Sequence, residues 1–417
     1  MLLATSSFLV KKHWPLLLAL SAIFLQPFGR SVELAVLVMM VIGGVDLIKN
    51  RNNIWKKSSF LIFGVLFLCF WIPSLVSLID AVNISKSSVT TFGMLRFYLA
   101  GVFVISRLSS PQTIRLLVLG ISVIATLWSL DNLLQAITGF DIFGRPPIAG
   151  RIPGIFGDSP RSGWMLIPLI SVAVLYIATL GRLWLSATLA FLMAGAIFIS
   201  GDRGAWVALF WIFLSLCCFL FISGKGFKKR VVVSLAVVAF LISAGVSQVP
   251  EVQSRMVLTY SAMGGGFEAW DAATSKRLTI WVTAFEVIKD NPVNGIGVRG
   301  FRYAYPDYAP EDDFFVKDGV GPHHSHQIVV EMLSDAGVIG LVGYILSLIC
   351  CVWLVREAIR RKTYLALGFL ASVIGVLMPI NSHLSFYSSY WAQACWLLFA
   401  FAVVAVFHER ADKEEYS

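Results

Sequence analysis

Charge is scarce in this sequence. Asp, Glu, Lys and Arg together make up 14% of the 417 residues, against 58% hydrophobic residues, and the mean hydropathy is +0.80. That shortage excludes an ordinary soluble globular domain. A disulfide framework is lacking too: Cys69, Cys217, Cys218, Cys350, Cys351 and Cys395 all fall inside apolar stretches, and none forms a CxxC pair. There is no HExxH or HxxxH helix to hold a zinc ion. Nor is there an internal repeat or low-complexity linker, so residues 1–417 read as one integral membrane domain. The net charge of +9 is dispersed along the chain and forms no nucleic-acid patch.

What is present is a series of apolar runs of about 20 residues, the length that crosses a hydrocarbon core. They fall near 13–29, 31–48, 58–80, 88–107, 112–136, 163–180, 183–200, 204–223, 230–248, 333–355, 363–381 and 388–408. The expectation is an all-α polytopic protein with about 12 transmembrane helices, because a single chain satisfies its backbone in lipid as helices or as a closed barrel. Lys11 and Lys12 before "HWPLLLALSAIFLQ" suit a signal peptide as well, but no clear small-residue cleavage site follows, and the run is read as the first span. Lys and Arg cluster beside alternate helix ends, for example Lys225, Lys228, Lys229 and Arg230, or Arg356, Arg360, Arg361 and Lys362. Those ends are expected to face the cytoplasm. Two long loops, 137–162 and 249–326, then face the periplasm.

The longer loop carries its own helix. In "SKRLTIWVTAFEVIKDNP" Leu278, Trp281, Phe285 and Ile288 recur at helical spacing, predicting an amphipathic helix near 275–290 with Ser275 as N-cap and Asn291-Pro292 as its end. The shorter loop, rich in Gly and Pro, contributes Arg145, Arg151, Asp158 and Arg161; it reads as an irregular cap, with Arg161 the residue marked for a supporting role. Arg96 and Asp131 lie at depths where an ionisable group needs a partner, and an ion pair between them is expected. Arg203 has Asp202 beside it, yet stands at a helix start, where the macrodipole disfavours a cation and favours an anionic ligand.

Half of the six histidines, His323, His324 and His326, stand together in "GVGPHHSHQIVVEMLSDAGVIGLVGY". A metal site would need help from Glu311, Asp312 and Asp313. A plain helix entrance would need only a cap such as Ser325. A neutral imidazole can also serve as a general base near neutral pH. After His326 and Gln327 come nine residues, then Gly337, two residues and Gly340.

This H-[NSQ]-x9-G-x2-G spacing resembles the bacterial O-antigen ligase and O-antigen polymerase superfamily. "SGDRGAWVAL" around Arg203 and "SKRLTIWVTAFEVIKDNPVNGIGVRGF" around Arg277 resemble the family's two arginine-bearing segments, in the same order. Asp335 stands where the family often has glutamate, and supports the site only through its acidic character. The resemblance implies a C-type glycosyltransferase-like membrane fold that acts outside the inner membrane without metal or other cofactor. It also implies that Arg203, Arg277 and His326 are functional, with His324, Arg161 and Asp335 as supporting candidates. The expected reaction moves O-antigen polysaccharide from undecaprenyl diphosphate to a sugar hydroxyl of lipid A-core oligosaccharide, with inversion. His326 would be the base, and Arg203 and Arg277 would grip the diphosphate, as guanidinium forks do. Gly337, Gly340 and Gly343 are assigned to helix packing. An O-antigen polymerase and a protein O-oligosaccharyltransferase remain alternatives within the enzyme class. A lipid-linked glycan transporter is the alternative outside it, without the internal symmetry transporters often show.

Overall fold

A computed structural model describes residues 2–50, 57–148, 151–159, 161–222 and 250–408. Among them are sixteen α-helices and no strands beyond two isolated bridges. The helices are α1 (Leu2–Phe24), α2 (Ser31–Lys49), α3 (Ser58–Val76), α4 (Ile84–Gly93), α5 (Leu95–Arg107), α6 (Pro111–Thr138), α7 (Ser162–Thr179), α8 (Leu183–Ile199) and α9 (Arg203–Ile222). They continue with α10 (Pro250–Ala262), α11 (Phe267–Ala273), α12 (Arg277–Asp290), α13 (Phe301–Tyr308), α14 (Ile328–Arg361), α15 (Tyr364–Leu377) and α16 (Ser389–Phe407). Seven stretches are long and apolar enough to cross a membrane: α2, α3, α4–α5 taken together, α6, α7, α14 and α16. Four shorter apolar helical stretches accompany them, in α1, α8, α9 and α15. The expected span at 230–248 lies outside the described residues.

Packing, not chain order, sets the neighbours. α7 and α16 are buried over 83% of their length and form the middle of the bundle, as helices apolar all round must. α5 packs on α2 and α16, whereas α6 packs on α7 and α8. This arrangement overturns the expected Arg96–Asp131 pair. Arg96 instead meets Glu33, in the first turn of α2, at 3.3 Å, and donates to Ser389 Oγ at 2.9 Å. Asp131 accepts from the N–H of Ile142 at 2.8 Å. Each charge is satisfied by the helix or loop lying beside it, and those are not consecutive in the chain.

The segment between α9 and α14 builds a separate apolar cluster from Ile280, Ala284 and Val287 of α12 with Phe301, Ala304 and Tyr305 of α13. It is clamped to a break in α14. Gly337 has φ +61 and ψ −157, a conformation glycine adopts without penalty. The break leaves backbone groups without helical partners, and the "NPVNGIG" turn at 291–297 supplies them. Val338 N–H donates to Pro292 at 2.8 Å, Ile339 N–H to Val293 at 3.2 Å, and Ile296 N–H to Ser334 at 3.0 Å. A Cβ at Gly337 would lie 2.3 Å from the Val293 carbonyl carbon. Gly337 is therefore a turn residue, not the packing residue expected. Gly343 does pack: a Cβ there would overlap the Cys69 carbonyl of α3.

Candidate active site

Arg203 heads α9 and Arg277 heads α12. Both line a cavity of about 510 Å³, with Trp281 and Phe285 from α12, Gln327 and Val330 from the start of α14, and Pro379 to Ser382 from the turn after α15. The buried face of α12 is Ile280, Thr283, Ala284 and Val287, while Trp281 and Phe285 of the apolar stripe line the cavity.

α12 does not begin as the sequence suggests. Ser275 and Lys276 both adopt left-handed backbone, φ +60, and Ser275 does not cap. Its hydroxyl instead accepts from Arg203 Nη2 at 2.5 Å. The cap comes from Asp271, whose carboxylate takes the Thr279 N–H at 2.9 Å and the Thr279 hydroxyl at 2.6 Å. The left-handed pair turns the chain through a tight corner, so Arg277 follows Ser275 into the cavity that holds Arg203. Burial, then Arg203, then Arg151 push the Arg277 guanidinium down to about 10. Among the described residues no carboxylate lies within ion-pair distance of Arg277.

His326 is the second left-handed feature, φ +59. Trp281, one turn into α12, donates its indole N–H to the Ser325 carbonyl at 2.9 Å and so ties Arg277's helix to His326's approach. Gln327, not Ser325, caps α14: its side chain accepts the Val330 N–H at 2.7 Å and donates to Pro379 at 2.7 Å. The His326 carbonyl accepts from His383 N–H at 2.9 Å. His326 stands beside the cavity and is not part of its wall. Burial and the nearby Arg277 push its imidazole down to about 4, against a backbone hydrogen bond to His383 that raises it.

The supporting candidates separate. The His324 ring lies 4.0 Å from that of His326 and bonds through Nε2 to the His383 carbonyl at 3.0 Å. Asp335 accepts the Arg299 N–H at 2.9 Å, which places it on the clamp at the α14 break. Arg161 lies over the Tyr390 ring at 5.3 Å. His323 is exposed, with Nδ1 3.1 Å from Arg302. Asp202, expected beside Arg203, forms its ion pair with Arg151 at 3.6 Å. Asp313, from the acidic group weighed for metal, accepts from Tyr305 and the Phe315 N–H. No three His, Cys, Asp or Glu side chains converge on a metal position among the described residues.

Sequence reasoning missed the turn at 378–388. Its first four residues were placed in the span at 363–381 and residues 382–387 were left as a plain break, yet the turn forms one wall of the cavity and bonds to both histidines. Glu331, 1% exposed, anchors it by accepting from Ser385 Oγ and the Phe386 N–H. The signal was available in "PINSHLS", a polar run too long for a membrane interior.

No curated protein matches the chain. Residues 188–345 match the model of a family described as O-Antigen ligase. That stretch takes in Arg203, Arg277, His326 and the glycine break of α14. Over those residues the chain is similar to the O-antigen ligase family, and its long apolar helices are those of a multi-pass membrane protein.

Proposed function

We propose that the protein transfers an O-antigen polysaccharide from undecaprenyl diphosphate to a sugar hydroxyl of lipid A-core oligosaccharide, at the periplasmic face of the inner membrane. The supporting observation is the meeting of Arg203 and Arg277 in one cavity with His326 at its edge. The acceptor oxygen attacks the anomeric carbon as the bond from that carbon to the phosphate oxygen breaks. The bonding pair leaves with the diphosphate, the hydroxyl proton passes to His326, and the configuration inverts. Guanidinium groups already aimed at the phosphates stabilise the growing charge without reorganising, the principle of an oxyanion hole. Binding of the anionic donor offsets the Arg277 charge that depresses His326, so the imidazole becomes more basic when the substrate arrives. The leaving group is already good, and the site has mainly to position the reactants.

The test separates binding from chemistry. His326→Ala should lose about 10²- to 10⁴-fold in transfer rate while its affinity for undecaprenyl-diphosphate-linked glycan stays near that of the parent. Equal loss of donor affinity and rate would remove His326 from the role of base.

A further inference from the structure

The loop at 137–162 carries three arginines, and two are engaged with nearby groups. Arg145 pairs with Asp141 at 2.7 Å and donates to the Ile155 carbonyl at 2.8 Å. Arg161 stacks on Tyr390. Arg151 differs. It exchanges reciprocal backbone hydrogen bonds with Ile148, 2.9 and 3.1 Å. Its stem crosses Gly201, whose ideal Cβ would lie 3.3 Å from Arg151 Cγ. Gly201 is two residues before Arg203. The Arg151 guanidinium is 46% exposed and its contact with Asp202 is long, 3.6 Å.

We propose that Arg151 is a third anion-binding residue, which exchanges Asp202 for a phosphoryl oxygen when a polyprenyl diphosphate enters the cavity of Arg203 and Arg277. This rests on the diphosphate reading of that cavity. The geometry supports an exchange in place of a permanent pair. Asp202 is 5% exposed at the start of α9, while the Arg151 side chain it meets is about half exposed. Burial already pushes the Asp202 carboxyl up to about 6, against Arg151, the N–H groups of Trp164 and Gly163, and Arg161, which lower it. Arg151 and Arg203 both lie close enough to Arg277 to lower its pKa, so all three guanidinium groups can reach one anion. A bidentate fork suits a phosphate as well as it suits a carboxylate.

The test measures the affinity of the purified full-length protein for undecaprenyl diphosphate in detergent, with inorganic pyrophosphate and phosphatidylglycerol as competitors. Arg151→Ala should weaken binding about ten-fold, the effect of one hydrogen bond to a charged group. Arg151→Lys should recover only part of that. Asp202→Asn should tighten binding several-fold by releasing Arg151, and should do nothing in the Arg151→Ala background. Pyrophosphate should compete and phosphatidylglycerol should not. Weakened or unchanged binding in Asp202→Asn would make the pair a loop tether and overturn the inference, as would equal competition by phosphatidylglycerol. Arg203→Ala and Arg277→Ala serve as controls. If both bind undecaprenyl diphosphate as the parent does, the diphosphate reading itself falls; if they lose binding and Arg151→Ala does not, only the role of Arg151 falls.

Discussion

His326 shows how a single residue is tuned by position. Its left-handed backbone is uncommon for a non-glycine residue and persists only where the surroundings impose it, here through the His383 N–H on its carbonyl. Burial and Arg277 lower its pKa from 6.5 to about 4. With the neutral ring as the proposed base, the acid limb of kcat/KM, which reports the free protein, should fall nearer pH 4 than 6.5. Arg277→Ala removes one of the two main depressing causes and should move that limb to higher pH, measured by initial rates across a pH series. An unmoved limb would separate the two residues. The sign for stability follows from the same shift. The unfolded chain takes up a proton at His326 near 6.5 that the folded chain refuses, so the folded state loses stability as pH falls from about 6.5 toward 4. Arg277→Lys should restore little of the donor affinity lost in Arg277→Ala, because lysine keeps the charge without the fork. The functional candidates were legible in the sequence because their spacing resembles a family pattern. Their capping partners were not, since Asp271 reaches Thr279 across a corner that only the left-handed Ser275 and Lys276 create.

At the scale of elements, the clamp between the 291–297 turn and the α14 break holds the outer segment to the bundle. Gly337→Ala would force a Cβ into the Val293 backbone and impose a disfavoured φ. It should cost about 1–3 kcal/mol or more, seen as a lower melting temperature in detergent, and should reduce transfer by displacing α12. A variant with parental stability would show that the break relaxes freely. Asp271→Ala removes the cap of α12 and should cost about 1 kcal/mol, with the larger effect on donor affinity, since Arg277 follows directly from that corner. Periodicity revealed the long helices and α12. It failed at Gly337, because a glycine within an apolar run reads as a packing residue until the strand of chain lying against it is known. It failed again at 378–388, where the start of a polar turn was counted into the apolar run before it and the rest was passed over as a break.

Across the whole molecule, the pairing of charges was the least legible feature. Arg96, Asp131 and Asp202 each found partners supplied by helix packing and loop path, which local sequence does not encode. Orientation is a separate matter, carried by the distribution of Lys and Arg. In a background without native cysteines, a cysteine at position 310, in the segment between α13 and α14, should react with a membrane-impermeant maleimide in spheroplasts, and one at position 362, at the far end of α14, should not. The reverse would put the site on the cytoplasmic side. The most direct test of the central claim is a reconstituted reaction of the purified protein with undecaprenyl-diphosphate-linked O-antigen and lipid A-core, resolved by product size. The account predicts lipid A-core carrying the polysaccharide, formed by the parent and lost in His326→Ala. Growth of the lipid-linked glycan, with lipid A-core left unmodified, would contradict it and identify a polymerase.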